Sequence, residues 1–134
     1  KMGFFYDTVV LLQPTSPFRN ASHIKAAMNC FDNTCDMVVS VKETKANPYY
    51  TLMEEDSQGW LVKSKKHNAT RRQDMPAVYE INGAIYIIKR DALQGASMHQ
   101  LMKTKKFVMD EISSHDIDTL YDWHLAELIC ANLL

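Results

Sequence analysis

Amide, hydroxyl and guanidinium side chains follow directly on an apolar, β-branched run early in the sequence. The residues are, in order, Thr8-Val9-Val10-Leu11-Leu12 and Gln13-Pro14-Thr15-Ser16-Pro17-Phe18-Arg19. The run predicts a buried strand, and the two prolines end it and stiffen the following loop. Ligands of open α/β sheets bind at the carboxyl ends of strands. The candidates for contact with a polar ligand are therefore Gln13, Thr15, Ser16 and Arg19. The alternative is an ordinary connection to a helix with Asn20 or Ser22 as its N-cap.

Two carboxylates, Asp116 and Asp118, stand two residues apart near the end of the sequence. On an extended segment, side chains at this spacing point to the same side. Mg²⁺ binds through one or two carboxylates together with substrate phosphates and water, so the pair is a candidate magnesium site. In the alternative interpretation, Asp118 caps the last helix and Asp116 is solvated.

A basic segment, residues 63–73, is a candidate for binding an anion. Its basic residues are Lys63, Lys65, Lys66, His67, Arg71 and Arg72. Arginine can hold a carboxylate or a phosphate through two parallel hydrogen bonds, which would suit that role. A solvated loop without a ligand is the alternative.

Asn82 and Gly83 interrupt an otherwise apolar stretch, residues 80–88, that predicts a strand. Both residue types are disfavoured inside strands, and glycine there often marks a bulge or the close approach of a ligand. If a ligand approaches, Asn82 and Tyr86 would present polar groups to it. If Asn82 and Gly83 form a bulge instead, Tyr86 is a partly buried ring of the core.

The order of the predicted elements is typical of an α/β fold. Strands are predicted at residues 6–12, 36–41, 80–88 and 107–109, and helices at 22–31, at 91–103 and from residue 118 or 119 onward. The first strand, helix and second strand suggest a right-handed crossover that joins a parallel pair. Residues 49–53 and 59–62 flank an acidic turn with a glycine and predict a β-hairpin, and 63–75 is predicted to be an exposed loop.

The composition indicates a globular domain without strong charge. The chain has 134 residues, of which 46% are apolar, and a net charge of -1. This balance argues against a general nucleic-acid-binding protein, and no apolar stretch is long enough to span a membrane. Three cysteines without a C-x-x-C pair, together with the lack of a secretory signal, predict a cytoplasmic protein with reduced thiols.

Three segments, taken together and in this order, resemble the acylneuraminate cytidylyltransferases, which are the CMP-sialic acid synthetases. They are Leu11 to Arg19, then Arg72-Gln73 followed by Asn82-Gly83-Ala84-Ile85-Tyr86-Ile87, then Asp116-Ile117-Asp118-Thr119. The resemblance implies an α/β fold with a three-layer mixed sheet of the nucleotide-diphosphosugar transferase type. The family usually begins with a Gly-, Arg- and Lys-rich nucleotide-binding segment that has no counterpart here. Residues 1–134 are therefore expected to be a single partial domain, the C-terminal portion of such an enzyme. By themselves they are not expected to turn over CTP.

The resemblance also implies a reaction and a set of site residues. CMP would be transferred from CTP to the anomeric hydroxyl of a nine-carbon acidic sugar, with release of pyrophosphate. The catalytic residues would be Gln13 and Arg72, the substrate-binding residues Gln13, Ser16, Arg72, Gln73, Asn82 and Tyr86, and the Mg²⁺ ligands Asp116 and Asp118. Displacement at phosphorus needs positioning and neutralisation of charge, both of which a metal on the phosphates supplies.

The family forms a homodimer that exchanges its hairpin region, so residues 48–76 are expected to be a dimerisation hairpin.

Glu80 stands where close sialic-acid enzymes often carry arginine, and Tyr50 where some carry lysine. These departures leave N-acetylneuraminate, legionaminic acid and pseudaminic acid open as the sugar. Two other functions are a non-catalytic unit for dimerisation or sugar-acid binding and, less favoured, a cytidylyltransferase for the eight-carbon acid of lipopolysaccharide.

Overall fold

The computed structural model of the protein describes residues 6–68, 71–94, 100 and 103–133, and these form a mixed α/β structure. The strands are β1 (Thr8–Leu12), β2 (Met37–Glu43), β3 (Met53–Glu55), β4 (Leu61–Lys63), β5 (Tyr79–Lys89) and β6 (Thr104–Val108), and the helices are α1 (Ala21–Asn29), α2 (Arg90–Leu93) and α3 (Leu120–Leu133). The chain divides into two compact units, Lys1–Lys42 with Ile81–Leu134, and Glu43–Glu80. The residues of the predicted hairpin insert, 48–76, belong to the second unit.

A four-stranded mixed sheet in the order β1-β5-β2-β6 forms the first unit. β1 runs antiparallel to β5, with Leu11 opposite Tyr86, and β2 runs parallel to β6. The mixed sheet of the predicted fold is therefore confirmed, whereas its three-layer arrangement stays a prediction. The expected pairing of the first two strands is wrong, because β5 lies between β1 and β2. The crossover through α1 returns the chain to the same sheet, but β2 is separated from β1 by one strand position, which β5 occupies.

The sheet buries apolar side chains on both of its faces. Val38 belongs to a cluster with Ile85, Ile87 and Ala27 of α1, and Met37, Val39 and Val41 belong to a second cluster with Tyr86 and Ile88. Strands covered on both faces have continuous rather than alternating apolar sequences. This explains why β2 and the second half of β5 were predictable as strands.

Asn20 begins α1 as its N-cap. Its side chain accepts hydrogen bonds from the backbone N–H groups of Ser22 and His23, and the His23 ring accepts one from the Asn20 N–H. These bonds satisfy donors that the first turn of a helix leaves without intrahelical partners. Asn20, rather than Ser22, is therefore the cap.

In the second unit, β3 and β4 form the antiparallel hairpin that the sequence predicts, with different bounds. Residues 49–51 are a turn rather than a strand, and Glu54 and Glu55 lie in β3 rather than in the connecting turn. The cause is Asn47, whose backbone carbonyl accepts from the N–H groups of Tyr50, Thr51 and Leu52. Its side chain also accepts from Tyr49 N, so the chain is wound into a turn before it can extend.

The remaining predictions differ in outcome. The predicted loop 63–75 contains a single 3₁₀ turn at Arg72–Asp74, and residues 69–70 of it lie outside the described part. Of the helix predicted at 91–103, the described residues confirm the short α2 and a 3₁₀ conformation at Gln100, whereas Lys103, directly before β6, is not helical. Residues 95–99 and 101–102 of that prediction lie outside the described part.

Candidate functional site

The loop after β1 is held in shape by Arg19. Its Nη1 donates to the carbonyl of Gln13, 2.9 Å away, and to the carbonyl of Ala84 in β5, 2.8 Å away. A charged donor shared by two carbonyls ties both ends of the loop to the neighbouring strand. Arg19 was predicted as a possible ligand contact, and the structure gives its guanidinium this structural use.

Gln13 lies directly against Gly83. Gly83 has φ of +72°, and a Cβ at this position would overlap Oε1 of Gln13. Only glycine combines that backbone conformation with so close an approach. The sequence predicted a bulge or the close approach of a ligand at this glycine. In the structure the group that approaches Gly83 is the side chain of Gln13, and the approach of a ligand stays a prediction.

Asn82 is a buried junction between three segments of the chain. Its Oδ1 accepts from Ser40 Oγ and from the N–H of Ala84, and its Nδ2 donates to Ser114 Oγ at 2.8 Å. Ser40 Oγ in turn accepts from the N–H of Ile85 at 2.7 Å. The network joins β2, β5 and the segment after β6. The predicted contact of Asn82 with substrate stays a prediction, and its polar atoms already have protein partners.

The turn after β6 is built by Asp110 and delivers Ser114 to Asn82. The Asp110 carboxylate accepts from the N–H and the hydroxyl of Ser113, both at 2.8 Å. These bonds hold the pKa of Asp110 below its usual range, the backbone bond contributing most. Ser114 N donates to the carbonyl of Asp110, which closes the turn.

Asp116 is positioned by its two neighbours. His115 Nε2 donates to the carbonyl of Asp122 in α3 at 2.8 Å, and the N–H of Ile117 donates to the carbonyl of Thr15 at 3.0 Å. The Phe18 ring also lies 6.0 Å from the His115 ring, centroid to centroid. The segment with Asp116 is therefore fixed against the loop of the first motif.

Two buried oxygens in this region have no hydrogen-bond partner within the described part of the chain. They are Ser16 Oγ and Asp116 Oδ1. Buried polar atoms normally have partners, so such atoms indicate where a ligand, ion or water binds. Tyr86 is close by, and its pKa is raised above the ordinary value by burial and then by the Asp116 carboxylate. The hydroxyl of Tyr86 thus stays protonated at neutral pH and can act as a donor.

Asp118 is exposed, and the cap of α3 is formed by Thr119 instead. The N–H and hydroxyl of Thr119 donate to Asp122 Oδ2, at 2.8 and 2.7 Å, and Thr119 Oγ1 accepts from the N–H of Asp122. The alternative in which Asp118 caps the helix is therefore wrong. Asp116 and Asp118 are hard oxygen donors that suit Mg²⁺, and the buried, unpartnered Oδ1 of Asp116 fits such a ligand. Among the described residues, no group of three metal-binding side chains is found.

Arg72 and Gln73 belong to the second unit and line an open cavity of about 720 Å³ there. Tyr50 lines the same cavity. Its hydroxyl accepts from Arg72 Nε at 2.6 Å, and its ring centroid lies 4.9 Å from the guanidinium carbon. A rigid guanidinium beside an open cavity suits the binding of a carboxylate or phosphate.

The structure thus distributes the predicted site residues over the two units. Those of the first unit are Gln13, Ser16, Asn82, Tyr86, Asp116 and Asp118, and those of the second unit are Arg72 and Gln73. Sequence reasoning gave no role to Ser40 and Ser114. Isolated serines carry no pattern, and only the three-dimensional pairing with Asn82 identifies them.

Relatives with named activities match most of the chain, although no family model matches it. Post-translational flagellin modification protein B of Campylobacter coli is 34% identical over 92% of this chain and 53% of its own length. CMP-N,N'-diacetyllegionaminic acid synthase of Legionella pneumophila is 37% identical over 95% of this chain and 55% of its own. N-acylneuraminate cytidylyltransferase of Streptococcus agalactiae is 35% identical over 85% of this chain and 28% of its own.

The chain spans about half the length of the first two of these curated relatives. No helix among the described residues is long and apolar enough to cross a membrane. The segments that carry the resemblance lie within a match that covers nearly the whole chain. As its motifs predicted, the chain is therefore a relative of the acylneuraminate cytidylyltransferases.

Proposed function

We propose that the protein is a cytidylyltransferase, which transfers CMP from CTP to a nine-carbon acidic sugar and releases pyrophosphate. The observation that carries this proposal is a pair of buried oxygens, Ser16 Oγ and Asp116 Oδ1, that have no hydrogen-bond partner among the described residues. They come from two of the three motifs. Since the loop and the Asp116 segment are joined by the bond from Ile117 to Thr15, the two motifs contribute to one site. The names of the relatives favour the same chemistry.

In this proposal Asp116 and Asp118 hold Mg²⁺, which would neutralise charge on the phosphates of CTP. Tyr86 would donate its hydroxyl hydrogen near Asp116. Gln13 would present its amide at the end of β1 in the orientation that Gly83 permits. Because the backbone on both sides of Asp116 is fixed, little reorganisation would accompany binding.

Arg72 would bind the carboxylate of the sugar acid, and Gln73 would contact the same sugar. Their place beside an open cavity supports this assignment. The relatives are named for legionaminic and for neuraminic acids, so both sugar types are substrates to test. We further propose a homodimer formed through the hairpin, supported by the exposed side chains of Trp60, Leu61 and Val62.

The test is to incubate the chain with CTP, Mg²⁺ and a panel of nine-carbon acidic sugars, and to detect a CMP-sugar by mass spectrometry. Binding of each sugar is measured in parallel by NMR titration. Asp116→Asn should abolish any product that the wild-type chain forms, and it should weaken Mn²⁺-induced relaxation of nearby resonances. Asp91→Asn, which alters an exposed carboxylate on α2, is the matched control and should change neither.

The second candidate function is a non-catalytic unit that binds the sugar acid, and the open cavity beside Arg72 and Gln73 is the observation that favours it. Product that disappears in Asp116→Asn would support the transferase and exclude this alternative. Binding of a sugar acid without product is compatible with both functions, because residues 1–134 are not expected to turn over CTP by themselves. In that case Mn²⁺-induced relaxation that Asp116→Asn weakens would favour the transferase, and its absence would favour the alternative. Product that persists in Asp116→Asn would contradict the metal assignment, and neither binding nor product would overturn both functions.

A further inference from the structure

Tyr50 and Arg72 form a stacked and hydrogen-bonded pair at the wall of the cavity in the second unit. We propose that Tyr50 is a positioning residue, which holds the Arg72 guanidinium so that its two terminal nitrogens alone are available to a carboxylate. This inference rests on the proposed function, in which Arg72 binds the carboxylate of an acidic sugar. It adds the residue that sets how that carboxylate binds.

The hydrogen-bond inventory of the guanidinium leads to this orientation. Arginine can grip a carboxylate side-on, through Nε and one Nη, or end-on, through both Nη atoms. The Nε hydrogen of Arg72 is donated to the Tyr50 hydroxyl at 2.6 Å. Since that hydrogen is taken, only the end-on fork remains for a ligand. The Tyr50 ring, 4.9 Å from the guanidinium carbon, covers one face of the group.

Asn47 holds Tyr50 and the segment after Arg72 together. Tyr50 N donates to the carbonyl of Asn47, and Asn47 Nδ2 donates to the carbonyl of Pro76 at 3.0 Å. Met75 N donates back to the carbonyl of Arg72, which closes the 3₁₀ turn. Asn47 is buried, so this anchor is shielded from water. The stacked pair is therefore organised before a ligand arrives.

Such preorganisation lowers the entropic cost of binding. Arg72 is exposed, and an unrestrained arginine would lose its rotamer freedom only when the ligand binds. Held by Tyr50, it has already lost much of that freedom. Removing the Tyr50 hydroxyl should therefore weaken the binding of a carboxylate while leaving the cavity in place.

The test measures binding of N-acetylneuraminate and of its methyl ester by NMR titration, using the full chain. Tyr50→Phe keeps the ring and should raise the dissociation constant of the acid by about 5–10-fold, which corresponds to the net contribution of one typical hydrogen bond. The ester lacks the carboxylate, so its affinity should change by less than about twofold. Tyr49→Phe, next in the chain, is the matched control and should leave both affinities unchanged.

Two further measurements separate the possible outcomes. If Arg72→Lys weakens binding of the acid and Tyr50→Phe does not, the positioning role is wrong and the proposed function stands. If Arg72→Lys has no effect on the acid, or the wild-type chain binds neither probe, the proposed carboxylate site fails as well. The exchange rate of the Arg72 Nε hydrogen tests the pair without ligand, and an equal rate in wild type and Tyr50→Phe would also overturn the positioning role.

Discussion

At the scale of single residues, the buried polar atoms of the first unit differ in whether they have hydrogen-bond partners within the protein. Asn82 uses both ends of its amide on Ser40, Ser114 and backbone, so it fixes the strands around it. Ser16 Oγ and Asp116 Oδ1 are equally sheltered but lack partners within the described chain. A buried polar atom without a hydrogen-bond partner lowers the stability of the folded protein. In a binding site, a ligand can supply the missing hydrogen bond.

Gly83 is a residue whose replacement by alanine has a clear structural consequence. Gly83→Ala should destabilise the protein, because the added Cβ overlaps Gln13 Oε1 and the positive φ is unfavourable for alanine. Gly59 shares a positive φ but has open space around it, so Gly59→Ala should cost only the backbone strain of about 1–2 kcal/mol. The overlap is with the far end of the flexible Gln13 side chain, which can shift, so it should add only about 1 kcal/mol at position 83.

Urea unfolding of the two variants measures this difference. A shifted Gln13 side-chain amide resonance in Gly83→Ala alone would show that the added methyl group acts through Gln13. Equal destabilisation of both variants together with an unshifted Gln13 resonance would show instead that Gln13 does not approach Gly83 closely in solution.

Part of the candidate site could be proposed from residue types, and the rest could not, for physical reasons. Gln13, Asp116 and Asp118 stand in segments whose composition is unusual for their place in the chain. Ser40 and Ser114 do not, since their roles come from contacts between residues far apart in sequence. Arg19 was predicted to contact a polar ligand because of its residue type and position, yet only the structure shows that its guanidinium donates to two backbone carbonyls.

At the scale of elements, apolar pattern was sufficient for the type of most strands and helices but not for their neighbours. β5 pairs with β1, and the paired residues, from Leu12 with Ile85 to Thr8 with Lys89, are far apart in the sequence, so no local signal specifies that pairing. The hairpin was predicted with wrong bounds because aromatic Tyr49 and Tyr50 favour a strand. The hydrogen bonds collected by Asn47 outweigh that preference.

The cap of α3 gives a prediction for a single element. Thr119→Ala should destabilise the protein by about 1 kcal/mol, because the Thr119 side chain accepts from the N–H of Asp122 and donates to its carboxylate. Thr119→Ser keeps the hydroxyl and should cost far less. Thermal or urea unfolding distinguishes the two, and equal loss in both variants would mean that the methyl group rather than the cap matters.

The same cap predicts a dependence on pH. Hydrogen bonds from the Thr119 side chain and backbone hold the pKa of Asp122 below its usual range. A carboxyl with a lowered pKa stabilises the folded state fully above its unfolded value of about 3.9, and this stabilisation is lost as pH falls. The stability difference between wild type and Asp122→Asn should therefore be larger at pH 6 than at pH 3.

Unfolding curves at the two pH values test this, with Thr119→Ala as the reference background. Without the threonine hydroxyl, Asp122→Asn should have a smaller effect at pH 6. A difference between wild type and Asp122→Asn that is the same at both pH values would argue against the cap as its source.

At the scale of the whole molecule, two sets of exposed apolar side chains lie in different units. The hairpin of the second unit exposes Trp60, Leu61 and Val62, whereas α3 of the first unit exposes Leu120 and Leu128. Large exposed apolar patches mark interaction surfaces. A two-stranded hairpin is also only marginally stable by itself, so an association partner would stabilise it.

Leu61 and Leu128 form a matched pair for testing the proposed homodimer, since they are 69% and 60% exposed. A lysine at either position should leave folding intact, because neither side chain is buried. If the hairpin forms the dimer, Leu61→Lys should shift sedimentation from dimer to monomer, while Leu128→Lys leaves it unchanged. The physical reason is the cost of burying a lysine ammonium in an apolar interface without a partner. The reverse result would assign the interface to α3, and a monomeric wild-type chain would contradict the homodimer.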